Sequence, residues 1–359
     1  MNYIVPFISL IISAVATYLF MPWLLRLCKR RGLYDMPNER KVHHNKIPRL
    51  GGVLFLPCTM IGIGFSMMMM QFIHLELPVF TLSTILIMVG VFLIYLIGLI
   101  DDILGLPARF KFLIQFIAAL FLPICNLYIN NLYGLFGLYE IPMWLGYPLT
   151  IFICLLIVNS INLIDGIDGL ASGLSIIALL VYSLIFLFLG ATHYAMFTLG
   201  LMGAVMVFFY FNMFGKVEDS TKTFMGDTGS LILGYGLSYV AFKLAMKNDA
   251  VLPYRPDALL MSFSLLVVPA FDLVRVALMR MKHGVSIFHA DKTHLHHKFL
   301  AAGFSMHRSL VCILGIQIFF CIFNLLSSHL GMSFTVIVLL DILFFTGLQL
   351  WLDKKKNVE

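Results

Sequence analysis

The chain has 359 residues, of which 61% are hydrophobic and 12% charged, and its mean hydropathy is +0.97. This composition excludes an ordinary soluble domain and indicates a polytopic membrane protein. The formal net charge of +6 is explained by the topology below, so no nucleic-acid partner is predicted.

Apolar segments of about 20 residues recur along the whole chain, as expected for membrane-spanning helices. They predict a single all-α integral-membrane domain over residues 1–359 with about 11 transmembrane helices. The first segment, Ile4 to Leu25, is too long for a signal-peptide core and is predicted to be a retained anchor. The predicted spans lie near residues 4–25, 50–73, 79–100, 112–129, 147–163, 170–189, 195–213, 231–246, 258–279, 309–327 and 333–352.

The basic residues predict the orientation of these spans. With the N-terminus outside, nearly all Lys and Arg residues fall in the segments of one side, which the positive-inside rule makes cytoplasmic. Only Lys243, Lys247 and Arg255 fall on the opposite side, and Arg275 lies at a helix end. The C-terminus is then cytoplasmic.

Five carboxylates from distant parts of the chain fall on this same predicted cytoplasmic face. Asp101 and Asp102 lie in "GLIDDILGL", Asp165 and Asp168 in "NLIDGIDGL", and Asp227 in "FMGDTGS". Each ionised group near the hydrocarbon costs about 2.5 to 3.5 kcal/mol on insertion scales. A shared cation would offset this cost, so the pattern favours a functional metal site at this face.

Structural interpretations exist for each motif. Asp101 and Asp102 could end a helix at the interface, and neighbouring helical residues point about 100° apart, which predicts different roles for the two. Asn162, Asp165 and Asp168 recur every third residue, which predicts that they share one helical face, while the nearby glycines could serve helix packing.

The segment "FMGDTGS" precedes the eighth span and has two interpretations. Asp227, Thr228 and Ser230 are good helix-capping residues. Alternatively, free amides at a helix N-terminus would suit a phosphate, and Asp227 would hold a hard divalent ion through oxygen.

The segment "SIFHADKTHLHHKF" contains three close histidines between Lys292 and Lys298. No thiolate or fourth ligand accompanies them, so an anion-contacting cluster is favoured over a zinc site. His43 and His44, further upstream, are interpreted as solvated interface residues. The three histidines are His294, His296 and His297.

Oxygen ligands for a metal, cationic groups and a membrane position together suggest phosphoryl transfer to or from a lipid. A carboxylate could deprotonate the attacking phosphate or form a covalent intermediate, and the sequence leaves both mechanisms open.

Four segments in order, "GLIDDILGLPARFKFLIQ", "NLIDGIDGL", "FMGDTGS" and "HADKTHLHH", resemble the polyprenyl-phosphate N-acetylhexosamine-1-phosphate transferases, with similarity from about Lys41 to Ser305. The resemblance implies a multi-pass enzyme of the bacterial inner membrane with ten or eleven helices. It also implies a Mg²⁺-dependent reaction, with Mn²⁺ as an alternative ion. Undecaprenyl phosphate would attack the β-phosphate of a UDP-N-acetylhexosamine and release UMP.

The resemblance also assigns roles to residues. Asp227 and Asn162 would hold the metal, and Asp101 and Asp102 would activate the lipid phosphate or assist the metal. Phe224 would stack on uracil. The remaining predicted substrate contacts are Asp165, Asp168 and Asn212 for nucleoside and sugar, and Lys111, His294, His296 and His297 for the phosphates.

The histidine segment also indicates the branch of the family. Transferases of MurNAc-pentapeptide typically carry three consecutive histidines, whereas "HLHH" after "ADK" resembles the branch that uses UDP-N-acetylglucosamine. MurNAc-pentapeptide transfer is kept as the alternative. The oligomeric state is open, with a homodimer as one alternative.

Two other classes of membrane protein are alternatives to this assignment. The CDP-alcohol phosphotransferases also cluster aspartates, but Ser172 stands where their motif has arginine. A cation-coupled transporter would place acids near the bilayer midplane in two related halves. Here the acids lie at one face and no repeat is visible.

Overall fold

The computed structural model describes residues 4–35, 46–77, 81–286 and 293–356. Most of these residues are helical, because in lipid a helix satisfies its own backbone hydrogen bonds. In chain order the helices are α1 (Ile4–Arg31), α2 (Phe55–Phe72), α3 (Leu82–Leu104), α4 (Ala108–Ile124), α5 (Met143–Ile164), α6 (Leu170–Phe188), α7 (Thr192–Phe214), α8 (Gly226–Ala245), α9 (Ala258–Ser264), α10 (Val267–Lys282), α11 (Leu295–Ala301), α12 (Met306–His329) and α13 (Phe334–Lys356).

Each of the eleven predicted spans overlaps one of these helices, or in one case the pair α9 and α10. Within the described ranges, eight helices are long and apolar enough to cross a membrane, or nine if the bent pair counts as one span. The other two predicted spans correspond to α4, which is shorter, and to α8, which is more polar. The protein is therefore a multi-pass helical membrane protein, while the count of eleven crossings and their orientation stay predictions.

Helix α8 lies at the centre of the bundle and is buried along nearly its whole length. It packs against α3, α5 and α9, while α1 packs against α7 and α2. Gly234 permits a close approach of α8 to α5, since a Cβ there would lie 2.6 Å from the Cα of Val158. As a result the amino end of α8 reaches the carboxyl ends of α3 and α5.

Two short antiparallel ribbons interrupt the helices, so the all-α prediction is wrong in this detail. Strand β1 (Tyr34–Asp35) pairs with β2 (Ile47–Pro48), and β3 (Asn131–Leu135) pairs with β4 (Leu138–Glu140). The second ribbon turns through Gly137, which has a φ of 76° that glycine adopts without strain.

Helices α9 and α10 meet at a 69° bend. At this bend the helical hydrogen bonds are interrupted, and polar residues of α12 bind Ser264. Gln317 donates to the carbonyl of Ser264 at 2.7 Å, and Asn324 donates to its hydroxyl at 2.8 Å. Asn324 also donates to Asp341 of α13 at 2.8 Å, and that fully buried carboxylate therefore belongs to the packing of this bend.

Candidate active site

Asp101 and Asp102 end α3 and face different partners, as their adjacent helical positions predict. Asp101 Oδ1 accepts the amide proton of Leu106 at 2.6 Å, and its Oδ2 accepts the ammonium of Lys111 at 2.9 Å. Asp102 turns instead toward the start of α8. Both carboxylates are buried.

Asp102 caps α8 from outside that helix. Its Oδ1 accepts the amide of Asp227 at 2.9 Å, and its Oδ2 accepts the amide and hydroxyl of Thr228 at 2.9 and 2.6 Å. Gly226 leaves the necessary room, since a Cβ there would lie 2.6 Å from Asp102 Oδ2. The expectation that these amides are free for a phosphate is therefore wrong, because Asp102 occupies them.

Lys111 joins two carboxylates at the centre of the site. Its Nζ lies 2.9 Å from Asp101 Oδ2 and 2.8 Å from Asp227 Oδ1, and its side chain is one-fifth exposed. Helices α3, α4 and α8 each supply one of these groups. The arrangement stabilises one positive charge between two negative ones, at a position that solvent reaches.

Asn162, in the last turn of α5, completes this cluster. Its Nδ2 donates to Asp227 Oδ1 at 2.8 Å and to Ser230 Oγ at 2.8 Å. The amide nitrogen, rather than the carbonyl oxygen that a metal would need, faces the carboxylate. In this structure Asn162 therefore orients Asp227.

The loop of residues 165–169 separates α5 from α6. Because α5 ends at Ile164, the prediction that Asn162, Asp165 and Asp168 share one helical face is wrong. Asp165 follows the helix end, and burial raises its pKa to about 7, with the carboxylate of Asp168 as the next cause. Asp168 turns away and pairs with Lys222 at 2.6 Å.

Asn212 lies behind this loop and is 4% exposed. Its Oδ1 accepts the amide of Gly169 at 2.7 Å, and its Nδ2 donates to the carbonyl of Thr223 at 2.9 Å and to Asp168 Oδ1 at 3.3 Å. These bonds tie the loop to the segment before α8. Asn212, predicted to contact the nucleoside or sugar, is placed here as a support of the site.

Phe224 lies next to this cluster with its backbone held on both sides. Its amide donates to the carbonyl of Pro48 at 2.7 Å, and its carbonyl accepts the amide of Gly51 at 2.9 Å. Gly52 has no room for a side chain, since a Cβ there would lie 2.2 Å from the Cα of Gly229. The half-buried ring is thus presented from a fixed backbone. Sequence reasoning missed the role of Gly51 and Gly52, which the segment "LGG" could have indicated.

The three predicted histidines lie at the start of α11, near the loop of residues 165–169. The ring of His296 packs on Gly166, where a Cβ would lie 2.1 Å from Nε2. Burial, with His297 and then His294 as further causes, lowers the pKa of His296 to about 3. His296 is therefore neutral, and its buried Nδ1 has no hydrogen-bond partner among the described residues. Lys292, His43 and His44 lie outside the described residues.

Asp272 of α10 is a residue of this region that sequence reasoning missed. It is 1% exposed and lies 2.8 Å from the Nδ1 of His294. An acid inside the apolar run "VVPAFDLV" was a usable signal, because intramembrane carboxylates are by default functional candidates.

The carboxylates were also predicted to hold a divalent metal. In the described part of the chain, no group of three or more His, Cys, Asp or Glu side chains forms a ready metal site. The donor set nevertheless fits Mg²⁺, which keeps several waters and is typically held by one or two carboxylates together with substrate phosphates. The position of the Lys111 ammonium between Asp101 and Asp227 marks where a cation is stabilised.

The helical bundle and the polar cluster at one of its ends agree with comparisons to known proteins. The family model described as Glycosyl transferase family 4 matches residues 84–245, which include Asp101, Asn162 and Asp227. The probable undecaprenyl-phosphate N-acetylglucosaminyl 1-phosphate transferase of Bacillus subtilis (strain 168) is 30% identical over 93% of this chain and 89% of that protein.

A second relative is similar over an even larger share of the chain. The undecaprenyl-phosphate alpha-N-acetylglucosaminyl 1-phosphate transferase of Escherichia coli (strain K12) is 28% identical over 96% of this chain and 90% of its own length. The chain therefore belongs to glycosyl transferase family 4, and the predicted family resemblance is confirmed.

Proposed function

We propose that this protein transfers N-acetylglucosamine-1-phosphate from UDP-GlcNAc to undecaprenyl phosphate. The products are undecaprenyl-diphospho-GlcNAc and UMP. Support comes from relatives named for this transfer, which align over more than nine-tenths of the chain. The observation that carries the proposal is the bridge of Lys111 between Asp101 and Asp227, at the end of a membrane bundle where a lipid phosphate and a soluble donor can meet.

The cluster suits phosphoryl transfer, in which the protein mainly positions charged groups and neutralises them. Asp227 is the carboxylate proposed to hold Mg²⁺, with Asn162 orienting it through the 2.8 Å hydrogen bond. When bound, the ion would neutralise charge on the donor diphosphate. Lys111 can turn from the carboxylates to a phosphate, since its Nζ forms ion pairs that a substrate can replace.

Asp101 is the better placed of the two adjacent acids to act on the lipid phosphate. Its Oδ2 accepts the Lys111 ammonium, and this bond can be exchanged when substrates enter. Both carboxylate oxygens of Asp102 accept hydrogen bonds from α8, so Asp102 is proposed to support the start of that helix. Deprotonation of the lipid phosphate and formation of a covalent intermediate are both compatible with Asp101 in this position.

The donor is proposed to lie across the loop of residues 165–169 and Phe224. The ring of Phe224 would stack on uracil, and Asp165 and Asp168 would contact the nucleoside or the sugar. We propose further that this end of the bundle faces the cytoplasm and that the protein resides in the bacterial inner membrane, as the distribution of Lys and Arg predicts.

The other functions are less well supported. MurNAc-pentapeptide transfer is not favoured, because the similar proteins are named for N-acetylglucosamine. A transporter would need its acids along a path through the membrane, whereas Asp101, Asp165 and Asp227 meet at one end of the bundle.

A transfer assay tests the proposal. Purified protein in detergent is given undecaprenyl phosphate and Mg²⁺ with radiolabelled UDP-GlcNAc, UDP-GalNAc or UDP-MurNAc-pentapeptide, and both lipid product and UMP are followed. We expect product from UDP-GlcNAc, its loss in Asp227→Asn and its retention in the control Asp341→Asn, which alters a buried acid of α13 that is bonded to Asn324 and not to the cluster. Transfer from another donor alone would overturn the sugar assignment, and no transfer in folded protein would overturn the reaction.

A further inference from the structure

Asp272 gathers three hydrogen-bond donors in the interior of the protein. Its Oδ2 lies 2.8 Å from His294 Nδ1, while its Oδ1 accepts the amide of Leu295 at 3.0 Å and Nη2 of Arg275 at 2.9 Å. Arg275 also donates to the carbonyl of Thr293. One carboxylate of α10 thereby fixes the segment that leads into α11.

This contact decides which ring nitrogen of His294 carries a proton. An ionised carboxylate only accepts hydrogen bonds, so His294 Nδ1 must be the donor. A proton on Nδ1 leaves Nε2 as the nitrogen that can serve a substrate. At the other oxygen of Asp272, the guanidinium of Arg275 lies at 2.9 Å and supplies the opposite charge.

His294 is buried beside His296, which itself packs on the loop of the candidate active site. Its ring lies parallel to the ring of His296, with 6.1 Å between centroids and an angle of 4° between planes. His296 in turn packs on Gly166, in the loop that carries Asp165. The ring of His296 therefore lies between the Asp272–His294 pair and the loop that is proposed to bind the donor.

We propose that Asp272 is a positioning residue for the transfer reaction: it holds His294 with Nδ1 protonated, so that Nε2 contacts a substrate phosphate. With Nδ1–H donated to the carboxylate, Nε2 is the ring nitrogen left to exchange a hydrogen bond with a phosphate group. His296 cannot replace it, because no carboxylate fixes its ring and its buried Nδ1 has no hydrogen-bond partner among the described residues. The inference rests on the proposed function, since it needs a phosphate-bearing substrate at this end of the bundle.

Asp272→Asn isolates this role. The amide oxygen can keep the bonds from Leu295 and Arg275, while the amide nitrogen takes the place of Oδ2 and donates to His294. His294 Nδ1 must then accept, which moves the ring proton to Nε2 and exchanges the roles of the two ring nitrogens. The variant changes the state of His294 while the other anchors of the segment persist.

The test compares Asp272→Asn, His294→Gln, the double variant and the matched control Asp341→Asn in the full-length chain, by kcat, KM for UDP-GlcNAc and thermal unfolding. We expect kcat of Asp272→Asn to fall about 10- to 100-fold, the loss typical when the hydrogen-bond partner of a metal-ligating histidine is removed, which we take as the scale for this pair. Its KM and unfolding temperature should stay near those of the wild type and of Asp341→Asn. The double variant should be no worse than His294→Gln, because both act through one ring.

Several outcomes would overturn the inference. Full activity of either single variant would do so, and the result for His294→Gln counts even if Asp272→Asn fails to fold. An additive loss in the double variant would show that Asp272 acts on something other than His294. An inactive wild type that is correctly folded would instead refute the proposed function, which separates the two failures.

Discussion

The carboxylate of Asp102 binds Thr228 twice, accepting both its backbone amide at 2.9 Å and its hydroxyl at 2.6 Å. The same carboxylate also accepts the amide of Asp227, so the end of α3 fixes the start of α8. Asp102 thus orients Asp227 toward Lys111 and Asn162, while its own carboxylate is bound to the backbone and hydroxyl donors at the start of α8.

Asp102→Asn is therefore expected to destabilise the protein as well as reduce transfer. An amide has one acceptor oxygen, so at least one buried donor of α8 loses its partner, at a cost of about 1–3 kcal/mol. Asp101→Asn should abolish activity with a much smaller change in the unfolding temperature, because Asp101 contacts the exchangeable Lys111 ammonium. Thermal unfolding and transfer rates of the two variants, measured side by side, check this. Equal unfolding temperatures would contradict the capping role of Asp102.

Lys111→Met should reveal the cation site. Without the ammonium, the carboxylates of Asp101 and Asp227 face each other uncompensated, so the variant should unfold at a lower temperature in EDTA and gain more stability from added Mg²⁺ than the wild type does. Transfer should fall about 100-fold or more, as when one stabilising donor is removed from an active site. Thermal unfolding across a Mg²⁺ titration measures the effect. The same Mg²⁺ response in both proteins would argue against a metal at these carboxylates.

The clustering of the acidic motifs was predictable, since alternating spans bring the end of α3, the end of α5 and the start of α8 to one face. The contact between Asp102 and Thr228 was not, because it depends on how closely two helices approach. A Cβ on Gly98 would lie 2.5 Å from the Cα of Thr228, and nothing local in the sequence specifies that partner.

The prediction that Asn162, Asp165 and Asp168 share one helical face was wrong for a different reason. It required α5 to continue past Asp168, but the helix ends at Ile164 and Asp168 pairs with Lys222. Asp272 was within reach of sequence reasoning as an acid in an apolar span. Its pairing with His294 was not, because the two belong to separate helices that meet only in the folded bundle.

Asp165→Asn should stabilise the protein in a pH-dependent way. The ordinary pKa of an aspartate is 3.8 and that of Asp165 in the folded state is about 7. Between these values the folded state holds a proton that the unfolded state releases, so the stability from the neutral carboxyl is present at low pH and lost as the pH rises through about 7. The asparagine mimics the neutral form at every pH.

The unfolding temperature of Asp165→Asn should therefore exceed that of the wild type at about pH 8, and the difference should vanish at about pH 3, below both pKa values. Asp168→Asn is the comparison variant, because it relieves the repulsion on Asp165 but also removes the ion pair with Lys222, so its gain at about pH 8 should be smaller than that of Asp165→Asn. A stabilisation of Asp165→Asn that does not change with pH would disprove the raised pKa as its cause.

Phe224→Ala should weaken nucleotide binding while leaving the fold intact. The backbone of Phe224 is held by Pro48 and Gly51 whatever its side chain, so the loop should persist. Loss of stacking on a base costs about 1–3 kcal/mol, which corresponds to a rise of about 5- to 150-fold in the Kd of UMP and UDP-GlcNAc. Calorimetry on purified protein measures both constants. Phe224→Tyr keeps an aromatic face and should bind nearly as the wild type does, whereas unchanged affinity in Phe224→Ala would exclude a stacking role for this ring.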